Sequence, residues 1–253
     1  MLEINNVYLM DCMDGMKLID DKSIDMILCD LPYGTTACKW DTVIPFEPLW
    51  EQYERIIKEN GAIVLTASQP FTTDLINSNR KQFKYCWVWN KVLSANICSA
   101  KYQPMKVHED ICVFSKKTHR YYPITTDADP KNIRPTSSKQ TKNNHYGTKM
   151  SNDRCDTKKR FPKSIITFNN RMGECNSLNK THPTQKPVEL FDYLIKTYTN
   201  ENDLVLDNCM GSGTTAIACI KTNRNYIGFE NDKEYFDKAS IRIESEKSQL
   251  RLF

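Results

Sequence analysis

Two short stretches carry residues whose types and spacing suit chemistry. The first is Asp30-Leu31-Pro32-Tyr33-Gly34, where the apolar run Ile24-Asp25-Met26-Ile27-Leu28-Cys29 gives way to a loop. In open α/β sheets this carboxyl end of a strand is where ligands bind. An exocyclic base amine is a poor nucleophile while its lone pair is delocalised into the ring. The Asp30 carboxylate and the Leu31 carbonyl would accept its two N–H hydrogens and favour a tetrahedral nitrogen. Pro32 would fix the loop, and Tyr33 would stack on a base swung out of a duplex. The plain alternative is a strand-end turn with Pro-Tyr packed locally, and for four residues taken alone it is the stronger reading.

The second stretch is Leu204-Val205-Leu206-Asp207-Asn208-Cys209-Met210-Gly211-Ser212-Gly213-Thr214-Thr215-Ala216, a strand, a glycine turn and the start of a helix. Glycines there let backbone approach a ligand at a helix N-terminus. Downstream, Tyr226-Ile227-Gly228-Phe229-Glu230 reads as a strand with an acidic residue at its end, the position that holds a ribose in nucleoside-binding α/β folds. Gly211-x-Gly213-x-x-Ala216 with Glu230 also satisfies the dinucleotide fingerprint, so this stretch alone supports NAD and S-adenosylmethionine equally. No lysine follows the glycines, which excludes a P-loop.

Together the two stretches resemble the amino-methyltransferases of DNA, in the group where the catalytic motif precedes the cofactor motif, often called the beta group. That group belongs to the class I S-adenosylmethionine-dependent methyltransferases. Further segments fall in the family's order: Tyr8-Leu9-Met10-Asp11, Trp89-Asn90-Lys91, His108-Glu109-Asp110-Ile111 and His182-Pro183-Thr184-Gln185-Lys186-Pro187. The resemblance implies S-adenosyl-L-methionine as cofactor, with Asp11 facing its adenine and Glu230 its ribose. It implies that Asp207, Gly211 and Gly213 line the methionine moiety with Thr214 beside them, and that Thr184, Gln185 and Lys186 help hold the carboxylate or amine. Asp30, Leu31, Pro32 and Tyr33 are the catalytic set. An Asp at the first catalytic position resembles the adenine N6 enzymes, whereas Ser is usual for cytosine N4. Two departures stand out: Leu31 replaces a proline, and Asn208-Cys209 replaces Pro-Phe, which removes an aromatic wall from the expected cofactor pocket.

These residues need a scaffold. Apolar runs at 6–12, 25–30, 62–67, 84–92, 109–114, 203–208 and 225–230 predict strands, and helical patterns at 13–20, 71–78, 187–198, 214–222 and 233–245 alternate with them. After Pro48, the spacing of Leu49, Trp50, Tyr53, Ile56 and Ile57 predicts a helix that Asn60-Gly61 ends. Such alternation predicts an α/β fold with a doubly wound, mostly parallel sheet. The resemblance makes it the seven-stranded class I methyltransferase sheet in circularly permuted motif order, with the strands ending at Asp30 and Asp207 as neighbours.

Between about 116 and 180 the alternation fails. Residues 116–160 hold 12 Lys plus Arg against 4 Asp plus Glu, a net +8, which leaves −4 for the rest of a chain whose total is +4. The expected organisation is therefore a catalytic part at 1–115, a basic target-recognition insertion at 116–180 and a cofactor-binding part at 181–253. Lys139, Lys142, Lys158, Lys159 and Arg160 are the expected contacts to double-stranded DNA; a solvated loop is the plain alternative.

The ten cysteines sit singly, with no Cys-x-x-Cys pair, and read as reduced structural thiols. No metal is expected. There is neither a leader-like start nor an apolar run long enough to span a membrane, so a soluble cytoplasmic protein with no membrane partner is expected. A homodimer and a separately encoded restriction endonuclease are compatible partners. Asp11 and Asp207 also suit plain helix capping. His108 and His182 read as structural and Lys91 as a solvated residue. Cytosine N4 or RNA methylation, a nicotinamide enzyme and a non-catalytic DNA-binding module are the other functions weighed. Only about 40 residues follow Gly213, too few for a nicotinamide fold that begins with its fingerprint.

Overall fold

In the computed structural model, which describes residues 2–36, 38, 40–95, 97–130, 158–170 and 185–250, strands and helices alternate from the start. β1 (Asn6–Leu9), α1 (Cys12–Lys17), β2 (Ile24–Asp30), α2 (Phe46–Ile56), β3 (Ile57–Ala67), α3 (Phe71–Ser78), β4 (Phe83–Ala95) and β5 (Lys106–Phe114) come first. Two short strands, β6 (Thr126–Asp127) and β7 (Lys159–Arg160), pair with each other, and β8 (Ile165–Thr167) follows. The chain closes with α4 (Val188–Tyr198), β9 (Leu204–Asp207), α5 (Thr214–Lys221), β10 (Asn225–Glu230) and α6 (Lys233–Leu250). Thr184, Lys139 and Lys142 lie outside the described residues, as do His182 and Pro183.

A run apolar on both faces belongs in the middle of a covered sheet, and β2 is buried at every position but its last. Met26 and Leu28 enter a core formed with α4, α5 and α6, whereas Ile27 and Cys29 enter a second core with α1, α2 and α3. The sheet order is β1-β10-β9-β2-β3-β5-β4-β8, parallel except for β5, which runs against both neighbours. Asp25, the charged residue inside β2, is tied down by Lys58 at 2.7 Å, by Arg120 at 3.2 Å and by the Leu204 amide at 3.1 Å.

Three sequence expectations change. Among the described residues the sheet has eight strands, not seven, because Ile165-Ile166-Thr167 adds to the outer edge of β4 in parallel; three β-branched residues inside a polar stretch give no period to read. The helix predicted to stop at Asn60-Gly61 ends at Ile56, and that pair lies inside β3 where its register with β2 shifts. A Cβ at Gly61 would sit 2.8 Å from the Asp25 carbonyl, so the glycine serves close strand approach and not a helix stop. The strand expected at 6–12 ends at Leu9, because Asp11 already caps α1.

Residues 1–122 with 164–253 form one compact unit, and 123–163 form a second, narrower than the 116–180 stretch expected from composition. Within the second, Lys159 pairs with Asp127 at 2.7 Å, and Lys158, Lys159 and Arg160 are exposed.

Candidate active site

Parallel neighbours end at the same edge of a sheet, so the topology alone lines up the chemistry. β9 and β2 pair in parallel, which brings Asp207 and Asp30 to one edge although 177 positions separate them in sequence. Glu230 ends β10 on one side, and Thr66 of β3 sits opposite Asp30 on the other. A cavity of about 860 Å³ opens along this edge, with Asp11, Asp30, Tyr33, Lys186, Asp207 and Glu230 in its wall. Its size is that of a site for a small organic ligand.

Both carboxylate oxygens of Asp30 are engaged. Its Oδ1 accepts from the Tyr33 hydroxyl at 2.7 Å and from the Thr66 hydroxyl, and its Oδ2 accepts from Lys186 Nζ at 2.5 Å. Tyr33 stacks on Phe71 with ring centroids 5.1 Å apart, so its ring is held from below as well as by its hydroxyl. Leu31 is buried, while Pro32 lines the cavity. The loop beyond is anchored by Asp41, which accepts from the amides of Gly34, Thr35 and Thr36 at 2.7–2.9 Å. Burial opposes the Asp41 charge, but the Thr36 hydroxyl and these amides outweigh it and hold the carboxyl below its ordinary value.

On the glycine side, Gly211 and Gly213 both take the left-handed backbone at φ +51° and +79°, which opens the turn from β9 into α5. Glu230 accepts from the Gly211 amide at 2.7 Å and from the Asp232 amide at 2.9 Å. Asp11 caps α1 through the Met13 amide at 2.8 Å and lines the cavity at the same time. Gln185 and Thr214 are buried beside it, and the Thr214 hydroxyl reaches the Lys186 carbonyl at 3.3 Å. Asp207 accepts from the Thr215 hydroxyl and from the Cys209 amide at 3.0 Å.

Burial is the main influence on Asp207 and pushes it up to about 6 from an ordinary 3.8, against the Thr215, Cys209 and Cys29 hydrogen bonds. A carboxyl raised by folding takes up a proton on folding, so stability falls as pH rises from about 4 to about 6. We expect the stability difference between wild type and Asp207→Asn to move by on the order of 3 kcal/mol toward Asn between pH 4 and pH 7. Thermal unfolding of the cofactor-free proteins at the two pH values checks this; a constant difference would mean Asp207 is not strained by its burial.

The fit to a nucleoside-bearing sulfonium rests on the cavity's donors, acceptors and rings. Among the described residues Glu109 Oε2 and Asn170 Oδ1 are buried atoms with no hydrogen-bond partner, and both residues line the cavity. Trp40 and Tyr235, 6.5 Å apart edge to face, also line it and present aromatic surface to a bound ring.

Comparison with known proteins settles the family. A model of the DNA methylase family, covering N6 and N4 amino-methyltransferases, matches residues 24–241. The chain belongs to this family. It is 28% identical to the type II methyltransferase M1.MboII of Moraxella bovis over 95% of this chain and 97% of that protein. It is also 28% identical to the type II methyltransferase M.HpaI of Haemophilus parainfluenzae, over 92% and 72%. Among solved structures it shares its fold with M1.HpyAVI bound to S-adenosylmethionine at TM-score 0.64, 24% identity and coverage of 94% and 98%. The cytosine-N4-specific PvuII DNA methyltransferase superposes at TM-score 0.65 with 14% identity over 96% and 90%. The methylase is thus a class I S-adenosylmethionine-dependent enzyme, and the nicotinamide reading is closed.

Two side chains of the methylase escaped the sequence reading. Lys91 is 7% exposed, not solvated, and its Nζ lies 2.9 Å from Glu109. Glu109 in turn lies 3.6 Å from Lys186, so Asp30, Lys186, Glu109 and Lys91 form an array of alternating charge. The signal was present in Trp89-Asn90-Lys91 and His108-Glu109, because β4 and β5 pair Asn90 with His108. Lys186 itself, expected at the cofactor, sits on Asp30. Cys12 and Cys209 line the cavity, and burial pushes Cys29, hydrogen-bonded to Cys209, up to about 12 and keeps it a thiol. Among the described residues no cluster suits a metal, and no helix is long and apolar enough to cross a membrane.

Proposed function

We propose that this methylase modifies adenine at N6 in double-stranded DNA, taking the target base out of the duplex, as the modification partner of a separately encoded restriction endonuclease. One observation carries the reading: β2 and β9 deliver Asp30 and the glycine turn to one cavity. When bound, S-adenosylmethionine supplies a methyl group on a positively charged sulfur. Asp11, Glu230, Asp207, Gly211, Gly213, Thr214 and Gln185, with Thr184, would hold it. Asp30 and the Leu31 carbonyl accept the amine hydrogens and stabilise charge developing on nitrogen, Pro32 keeps the loop rigid, and Tyr33 is a fixed stacking platform. Adenine is favoured by the Asp at the first catalytic position. Nucleoside mass analysis of methylated DNA should show N6-methyladenine; N4-methylcytosine would overturn the assignment. The kinship with type II methyltransferases supports the restriction-modification setting.

The basic 116–160 stretch is proposed to hold DNA phosphates, Lys139, Lys142, Lys158, Lys159 and Arg160 among its contacts. Binding should weaken with salt, each phosphate contact adding about 0.9 to the log-log slope. Neutralising Lys158, Lys159 and Arg160 together should flatten that slope for all sequences alike. An unchanged slope in binding titrations would return these residues to a solvated surface.

A further inference from the structure

We infer that the turn joining β4 to β5 enters the DNA duplex beside the extracted base; this rests on the base-extraction reading above. β4 runs parallel to β2 and β3, because β5 between them is antiparallel to β3 and β4, so β4 ends at the edge where Asp30 lies. Lys91 and Lys106, at the two feet of the turn, line the cavity. A duplex whose base reaches Asp30 must therefore lie against whatever projects beyond these two lysines.

What projects there is unlike an ordinary surface loop. Tyr102 is 89% exposed and Ile97 71%, with Val92, Leu93 and Met105 also exposed. From Val92 to Val107 the chain has Lys101 and Lys106 and no acidic residue, while Lys91 at its foot is taken up by Glu109. Exposed apolar side chains rimmed by charge mark an interaction surface, and here the charge has one sign. Polyanionic DNA complements the lysines, and its stacked bases accept an aromatic ring or an aliphatic wedge where a base has left. The strands also break register between Asn90 and Ala95, and Val92 takes φ +67°, a conformation β-branched residues avoid. A bulge of this kind beside a site re-aims the strand that follows it.

The test uses the full-length methylase and the double variant Ile97→Ser/Tyr102→Ser, neither residue being in the cavity wall. Donor binding is measured by calorimetry and methyl transfer with tritiated donor. The substrates are a duplex carrying the site found by modified-base sequencing, and the same duplex with an abasic position opposite the target base. We expect unchanged donor affinity, about a tenfold or greater loss on the intact duplex, and recovery on the abasic duplex, where extraction costs little. Unchanged transfer on the intact duplex, or a loss the abasic duplex does not rescue, would overturn the inference. So would a loss tracking a change in mass by light scattering, which would assign the turn to contact with a second copy of the chain. Wild-type protein that binds donor yet methylates neither duplex would remove the base-extraction reading itself, and the inference with it.

Discussion

Asp30→Ala should lose methyl transfer by on the order of a hundred- to a thousandfold while binding S-adenosylmethionine nearly as tightly as wild type. The carboxylate is assigned to the base amine, and its hydrogen bonds run to Tyr33, Thr66 and Lys186 rather than to the glycine turn. Removing it also takes from Lys186, which is 7% exposed, its short ion pair and leaves Glu109 at 3.6 Å. Loss of one member of a buried ion pair costs about 3–5 kcal/mol, so Asp30→Asn, which keeps the shape and the hydroxyl contacts, belongs beside it. Gly211→Val should do the reverse: φ +51° is a conformation that strains a β-branched residue, and the amide that meets Glu230 would be displaced. Donor affinity should then fall first. Calorimetry and single-turnover transfer on all three variants decide the matter, and equal loss of donor affinity in Asp30→Ala and Gly211→Val would dissolve the division of roles.

What could be read from the chain was what is local. Asp30-Leu31-Pro32-Tyr33 and Asp207 through Thr215 announce themselves because strand, turn and glycine spacing lie within a dozen residues. The alternation of apolar strands with helical patterns was enough to give a doubly wound sheet. β8 was missed because three β-branched residues carry no periodicity. Gly61 was misread because a glycine after a helical run looks like a helix stop, and only the approach of the Asp25 carbonyl shows its other use. The charge array was only half legible: Trp89-Asn90-Lys91 and His108-Glu109 lie on strands that pair, but nothing local joins them to Asp30 and Lys186. Lys186 and Asp30 are 156 positions apart, and Lys91 follows an aromatic strand in the way a solvated lysine would. Burial of a charge depends on tertiary packing, which composition does not record.

That array gives the sharpest separation between what kinship implies for Lys186 and what the geometry implies. Kinship places Lys186 on the cofactor; the structure has its ammonium on Asp30 and near Glu109, 5.8 Å from the Tyr33 ring centroid. Burial alone would lower its affinity for a proton, but the Asp30 and Glu109 charges outweigh burial and raise it. A raised lysine keeps its charge, and the stabilisation that goes with it, through neutral and mildly alkaline pH, and loses both only as pH climbs through the raised value. Lys186→Gln should therefore lower kcat by at least about tenfold through the misplaced Asp30 carboxylate. The KM for donor should change little and Tm should fall, since Asp30 then loses its ammonium partner while Glu109 keeps Lys91. Lys186→Arg restores the charge and should recover part of kcat, although its planar fork fits the spot less well than an ammonium. Steady-state kinetics with varied donor and varied DNA read the split directly. A donor KM that rises sharply with kcat preserved would hand Lys186 back to the cofactor. A collapse of both that Lys186→Arg does not relieve would make it a packing residue whose charge is incidental.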